Sequence, residues 1–410
     1  MFSKGLNILS IASAAALAAA CADAEKTPEM GTYKYDCAFL QKHNIGTLEL
    51  VSKDGQSRVL VAPGYQGRVM TSSASGENGD SFGWINYKFI KAGEVNPQFN
   101  PVGGEERFWI GPEGGPNSFY FKKGDEQVYA NWKVPAAIDT DTYKVVSSDS
   151  SKAVFSHSCV LASASDVIFN IGIRREVELL GTSEIENVLG VGVPEGVKSV
   201  AYKTVNAITN IGRNEWKKET GIPSVWLLGM FNPTPTTTVF IPYNKDFAGK
   251  KINDEYFGKI PSDRLVEDSG VFYFKIDGKC RTKLGLPAGS AKDLCGSYDS
   301  EKGVLTILKY TLPEGDADYV NGQWGPQENP FDGDVINSYN DGPTDDGTVM
   351  GPFYEIETSS PGAALKPGEC LEHEQFTMHF QGSPEEIGGM VEAVFGIGLD
   401  DIVTRFAAGR

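Results

Sequence analysis

The sequence predicts a mostly β protein in which sheets pack on sheets, and three observations carry that expectation. Glycine and proline are plentiful, 47 and 22 of 410 residues. Short apolar or alternating runs recur between turn-forming residues such as Asp54-Gly55, as strands separated by tight turns would. β-Branched and aromatic residues fill those runs, which suits a pleated, half-buried surface better than a helix.

In chain order, strands are predicted over 48–51, 57–61, 67–71, 154–161, 166–173, 199–208, 224–231, 237–241, 270–276 and 304–310. One clear helix is predicted near the end. Ser383 caps it, Glu385 and Glu386 sit at its positive pole, and Ile387, Met390, Val391, Val394 and Phe395 recur on one side. The Gly-, Asp- and Asn-rich span 327–347 reads as a long loop. No linker or change of composition divides the chain, so 32–410 is expected to form a single domain.

Lys4 precedes an apolar run over 8–20 that ends in small residues, which reads as a signal peptide over 1–20 followed by a polar tether over 21–31. Leu17-Ala18-Ala19-Ala20 before Cys21 resembles a bacterial lipoprotein cleavage site, which would place a diacylglycerol on Cys21. A plain secretory cut after Ala20 or Ala24 is the alternative. Either way the mature chain is expected outside the cytoplasm, in the periplasm or at the outer membrane, with membrane contact only through the anchor. No later run approaches the ~20 apolar residues of a membrane span.

Lys+Arg 37 against Asp+Glu 54 gives a net charge of −17, which argues against nucleic acid and anionic lipid faces as partners. Cys280 and Cys295 are close enough in sequence to be expected as one disulfide, whereas Cys37, Cys159 and Cys370 lack metal-site spacing. No phosphate loop, dinucleotide turn or H-E-x-x-H is present, so no cofactor or metal is expected. Gly79-Asp80-Ser81-Phe82-Gly83 spells G-x-S-x-G, but it follows the polar stretch 72–78 instead of a strand, so Ser81 reads as a loop serine.

Two segments could carry chemistry. Within 107–115, Arg107, Trp109 and Glu113 stand beside a glycine-freed backbone. Aromatic faces stack on the C–H side of a pyranose while charged groups take its hydroxyls, so this mixture suits sugar binding; a tight turn held by an Arg–Glu pair is the structural alternative. Within 353–360, strand alternation puts Glu355 and Glu357 on one face, about 7 Å apart. Two carboxylates so placed can split their pKa values, leaving one as a base and one that holds a proton; two solvated glutamates are the plainer alternative. Trp84, Trp324, Tyr339 and Asn337 have the chemistry of sugar contacts.

Ile356-Glu357-Thr358, then Leu365-Lys366-Pro367-Gly368-Glu369, then His373 and Phe380, resemble the closing strands of aldose 1-epimerases, the galactose mutarotases. The resemblance implies a galactose mutarotase-like β-supersandwich with a short C-terminal helix, and it makes Glu357 the catalytic base. His373 matches a histidine that the family does not use for proton transfer. The wider chain is similar to an uncharacterised family of bacterial lipoproteins with the same fold, through Gly67-Arg68-Val69-Met70, 107–115, Leu228-Gly229-Met230-Phe231-Asn232-Pro233 and 334–342. One departure bears on chemistry. Mutarotation needs an acid as well as a base, and the H-x-Y-F strand that supplies the epimerase histidine falls on Leu228-Gly229-Met230-Phe231, where nothing can donate a proton.

The expectation is therefore an exported carbohydrate-binding protein, with an aldose 1-epimerase-like isomerase acting on an aldose or glycan end as its catalytic form. Glu357 would be the base, and Arg68, Arg107, Trp109, Glu113, Asn337 and Glu355 would contact substrate. The alternatives are a non-catalytic surface lipoprotein, sugar-sensing or scaffolding, that lost the acid histidine, and a polysaccharide lyase or hydrolase.

Overall fold

Alternation of apolar and polar residues builds three antiparallel sheets. In this computed structural model, which describes residues 28–344 and 346–406, the strands are β1 (Leu48–Val51), β2 (Arg58–Ala62), β3 (Arg68–Ser73), β4 (Arg107–Gly111), β5 (Lys144–Ser148), β6 (Lys152–Ala162), β7 (Ile168–Leu179), β8 (Lys198–Asn210), β9 (Ser224–Phe231), β10 (Thr237–Pro242), β11 (Leu265–Asp268), β12 (Val271–Lys275), β13 (Thr282–Pro287), β14 (Leu294–Asp299), β15 (Val304–Tyr310), β16 (Asp334–Asn340), β17 (Tyr354–Ser359) and β18 (Cys370–Gln381). The expected signal peptide, Cys21 and most of the tether lie outside the described residues.

β1-β2-β3 form a small sheet. β11-β12-β10-β14-β15-β18-β8-β7-β6-β5 form a ten-stranded sheet, and β13-β16-β17-β9-β4 form a five-stranded one. The mostly β supersandwich expected from the sequence is thus the fold that forms. The helices are α1 (Tyr33–Lys42), α2 (Tyr87–Ala92), α3 (Thr182–Leu189), α4 (Pro384–Phe395) and α5 (Leu399–Val403). Helix α4 is the predicted C-terminal one: Ser383 accepts from the Glu386 amide while the Glu386 carboxylate reaches back, a capping box worth roughly 1 kcal/mol. Ile387, Met390 and Val391 bury its apolar side.

The two large sheets enclose the core. Phe108, Leu227 and Ile110 of the five-stranded sheet meet Phe155, Phe169 and Ile171 of the other, and Leu284, Ile336 and Ile356 meet Val239, Phe274 and Leu308. A polar seam crosses between them. Thr358 donates to the Gln375 side-chain oxygen at 2.7 Å, so its 2.9 Å contact with His373 must be the imidazole Nε2–H donating to the hydroxyl. Gln375 donates to Glu106 at 2.7 Å, and Glu106 pairs at 2.9 Å with Arg175, fully buried like itself. Burial pushes the His373 pKa down to about 3, so the ring is neutral.

Two expectations and one structural alternative are corrected. The loop-like span 327–347 contains β16, whose pairing with β13 and β17 converts Asp334 to Asn340 into sheet. The first five residues of 107–115 are an edge strand, β4, and not a turn. Cys280 and Cys295 are both free thiols. Cys295 is buried in β14 of the ten-stranded sheet, whereas Cys280 sits just before β13 of the five-stranded one, with its carbonyl taken by Thr282 and Asn340. Fifteen residues of separation did not foretell that the two segments belong to different sheets.

Candidate functional site

Antiparallel register decides which side chains share the far face of the five-stranded sheet, the face turned away from the ten-stranded one. Asn337, Glu357, Leu228 and Arg107 lie in one cross-strand row, and Lys283, Tyr339, Glu355 and Met230 in the next. The near face carries Ile356 and Thr358 toward β18, so Glu355 and Glu357 point outward together.

Glu357 is fully buried. One carboxylate oxygen, Oε2, accepts from Lys283 Nζ at 2.9 Å and from the Trp226 indole N–H at 2.9 Å. The other, Oε1, has no partner within the protein. A buried acceptor left bare carries a cost of ~1–3 kcal/mol and marks a place where a hydroxyl would be welcome. Burial alone would pull the Lys283 pKa down, but the adjoining Glu357, with Glu113 and Glu355 behind it, holds it above the usual lysine value. Lys283 is therefore a cation, 5.3 Å from the centroids of both the Trp226 and Tyr256 rings.

Glu355 pairs with Arg107 at 3.1 Å, although 248 positions separate them. Its pKa is raised well above the carboxyl range by burial, which outweighs Arg107, and the Glu357 charge adds to the rise. The Arg107 guanidinium carbon lies 4.1 Å from the Trp109 ring centroid and 5.6 Å from that of Phe99, a cation–π clamp that orients it. Trp109 in turn meets Trp226 edge to face at 5.4 Å. Glu113, half-buried just beyond β4, has its pKa pushed up to about 7 by burial against the pull of Lys283, and Glu357 again adds to the rise. Asn337 donates to the Tyr256 hydroxyl at 3.1 Å, and that hydroxyl donates to Asp334.

Of the expected site residues, the fold thus gathers Glu357, Glu355, Arg107, Trp109, Glu113 and Asn337 on one face. Arg68 is not brought there: it lies in β3, its guanidinium bound to the Gly103 carbonyl at 2.8 Å and to Gln66 at 3.0 Å. The sequence does not single out Lys283, Trp226 or Tyr256. Lysine within Thr282-Lys283-Leu284-Gly285-Leu286 looks like the solvated side of a strand, and nothing in the sequence marks its partner.

Leu228 stands directly opposite Glu357, so the strand beside the carboxylate offers no imidazole. His379 is elsewhere, between the sheets, with Nε2 at 2.9 Å from Glu105 and Nδ1 at 2.9 Å from Thr306. Ser81 is a loop serine bonded to Thr71 at 2.6 Å and to Asp36. A cleft of about 630 Å³ lined by Val167, Phe169, Arg213, Trp216 and Lys217 contains none of the expected site residues. The chemistry therefore sits on an enclosed face, with residual exposure at Lys283, Trp226 and Glu113.

Residues 31–406 match the Family of unknown function (DUF6786). No curated protein is significantly similar in sequence. Among solved structures, the Slr1438 protein of Synechocystis sp. PCC 6803 is similar in fold, with TM-score 0.50 and 12% identity over 83% of this chain and 96% of that one. Lower scores join a candidate aldose 1-epimerase of Escherichia coli K12, TM-score 0.48 and 11% identity over 82% and 99%, and a galactose mutarotase-like protein of Lactobacillus casei ATCC 334, TM-score 0.45 and 9% identity over 82% and 100%.

Proposed function

Because the chain belongs to the Family of unknown function (DUF6786), whose name carries no activity, we propose its function from the site: a carbohydrate-binding protein that receives a sugar against the far face of the five-stranded sheet. The observation that carries this is the half-used Glu357 carboxylate, with Oε2 held by Lys283 and Trp226 and Oε1 bare. Arg107 pairs with Glu355 and Lys283 with Glu357, so neither cation is free for a phosphate, and no group of three or more ligating side chains that could hold a metal occurs among the described residues. A neutral ligand with hydroxyls for Oε1 and C–H faces for the indoles fits that balance.

If the protein turns over its sugar, Glu357 Oε1 takes the proton of the anomeric hydroxyl. Glu355, kept partly protonated by burial, stands on the same face to supply the ring-oxygen proton that histidine supplies in aldose 1-epimerases. Leu228 opposite Glu357 favours a second reading, a binding module without turnover. Titration calorimetry with mono- and oligosaccharides is expected to show binding that falls about 10- to 100-fold in Glu357→Gln, the loss for a hydrogen bond to a charged group. Heat from no sugar, or equal affinity in the variant, would remove the site. Polarimetry of a fresh α-anomer then separates the readings: a drift faster than solvent and absent in Glu357→Gln marks an enzyme, and no acceleration marks the module.

The proposal includes export and a lipid anchor at Cys21, supported by the apolar run and small residues before it. Bacteria expressing the full chain with labelled palmitate are expected to label it, and Cys21→Ser to abolish the label. A wild-type chain released unlabelled would contradict the anchor.

A further inference from the structure

An aromatic strip runs from the buried charges to the surface. Trp132 stacks at 6.1 Å on Trp324 and at 6.0 Å on Tyr129. Those two rings are 37% and 66% exposed, unusual for large side chains with so much apolar area. They are not loose. Gln127 accepts from the Gly115 and Gly325 amides at 2.8 and 2.7 Å and donates to the Gly115 carbonyl at 2.7 Å, stapling the two loops that carry the rings. Gln327 adds bonds to the Asn321 and Gln323 carbonyls at 3.0 and 2.6 Å.

The strip also has unmet polar needs. The indole N–H groups of Trp109 and Trp132 are buried without a hydrogen-bond partner. Trp132 and Trp324 favour the charged form of Glu113, yet the Trp132 N–H does not complete a bond to it. A ligand with flat C–H faces matches the exposed Trp324 and Tyr129 rings, and its hydroxyls suit the polar loop groups around them.

Resting on the carbohydrate reading above, we propose that this strip is a second subsite and that the ligand is an oligosaccharide: its terminal sugar meets Glu357 and its following units stack on Trp324 and Tyr129. Trp109 joins the two subsites, since its ring centroid lies 4.1 Å from the Arg107 guanidinium carbon and 6.3 Å from that of Trp132. The rigid staple means that little ordering cost falls on binding.

The test uses the mature chain and saccharide ladders from monomer to hexamer in the gluco-, galacto-, xylo- and N-acetylglucosamine series, read by calorimetry and tryptophan fluorescence. In the series that binds, affinity is expected to rise at least about tenfold from monomer to trimer. The doubly substituted Trp324→Ala, Tyr129→Ala chain is expected to lose that gain while binding monomer within about twofold of wild type. Both side chains are at the surface, so an unchanged melting temperature certifies the variant. Monomer bound as tightly as any oligomer, or a variant that keeps the length gain, overturns the second subsite and leaves the Glu357 site standing. Binding of no saccharide at all overturns both.

Discussion

Replacing Lys283 by methionine is expected to destabilise the protein by about 3–5 kcal/mol, because it strips the counter-ion from a buried carboxylate. Glu357 is fully buried and Lys283 only 14% exposed. Methionine keeps most of the packing against Trp226 and Tyr256, so the loss reports charge, not volume. Combining Lys283→Met with Glu357→Gln is expected to recover a large part of it, since the amide needs no cation. Denaturant midpoints of the four chains close the cycle. A single-variant loss below about 1 kcal/mol would mean that the pair is solvated and that the enclosed site is not built as described.

The second large effect is one of pH, and its sign is opposite to ordinary acid lability. Burial raises Asp36 and Asp334 to about 6 and Glu113 to about 7, and raises Glu355 as well. In the unfolded chain these groups titrate near about 4, so each binds its proton more tightly when folded. Their contribution is complete below that range and is lost as pH climbs through 6 to 7. His373 runs the other way, since its depressed pKa makes a contribution that is present above about 6.5 and fades as pH falls. Burial raises Asp139 and Asp341 too, so the carboxyls outweigh His373 and leave a net proton uptake on folding. Thermal stability is expected to rise as pH falls from about 8 to about 5.5, by about 1.4 kcal/mol per pH unit for each net proton. Below about 4 it turns down, as the ion-paired Glu176 and Asp277, whose pKa values are lowered, take up protons. A melting temperature flat or falling over the upper interval would show these carboxyls ionised in the folded state.

Strands were legible where local pattern suffices. The predicted spans 48–51, 224–231 and 304–310 coincide with β1, β9 and β15, and Ser383 caps α4 as expected. Glu355 and Glu357 share a face because a strand's period of two leaves no alternative. What sequence could not give is partnership across the sheet. Nothing local ties Arg107 to Glu355, Lys283 to Glu357 or Gln127 to Gly325, since each pair is fixed by the strand order β13-β16-β17-β9-β4 and the loops above it. The expected disulfide fails for the same reason: proximity along the chain is not proximity in space. Arg68, placed in the pocket by its neighbours in sequence, proved to be a ligand for backbone carbonyl.

Strand β17 carries polar groups on both sides, carboxylates outward and Thr358 inward. Slipping it by one position would therefore drive Glu355 and Glu357 against the inter-sheet oil and strand His373 and Gln375 without their hydroxyl. Such mispairing is self-penalising: a slip of β17 by one position turns its carboxylates toward the core, so the residues that would do chemistry also serve as marks against that misalignment of β16, β17 and β9. Insertions are expected to be tolerated in the turn between Asn340 and Tyr354 far better than anywhere within the six residues of the strand itself.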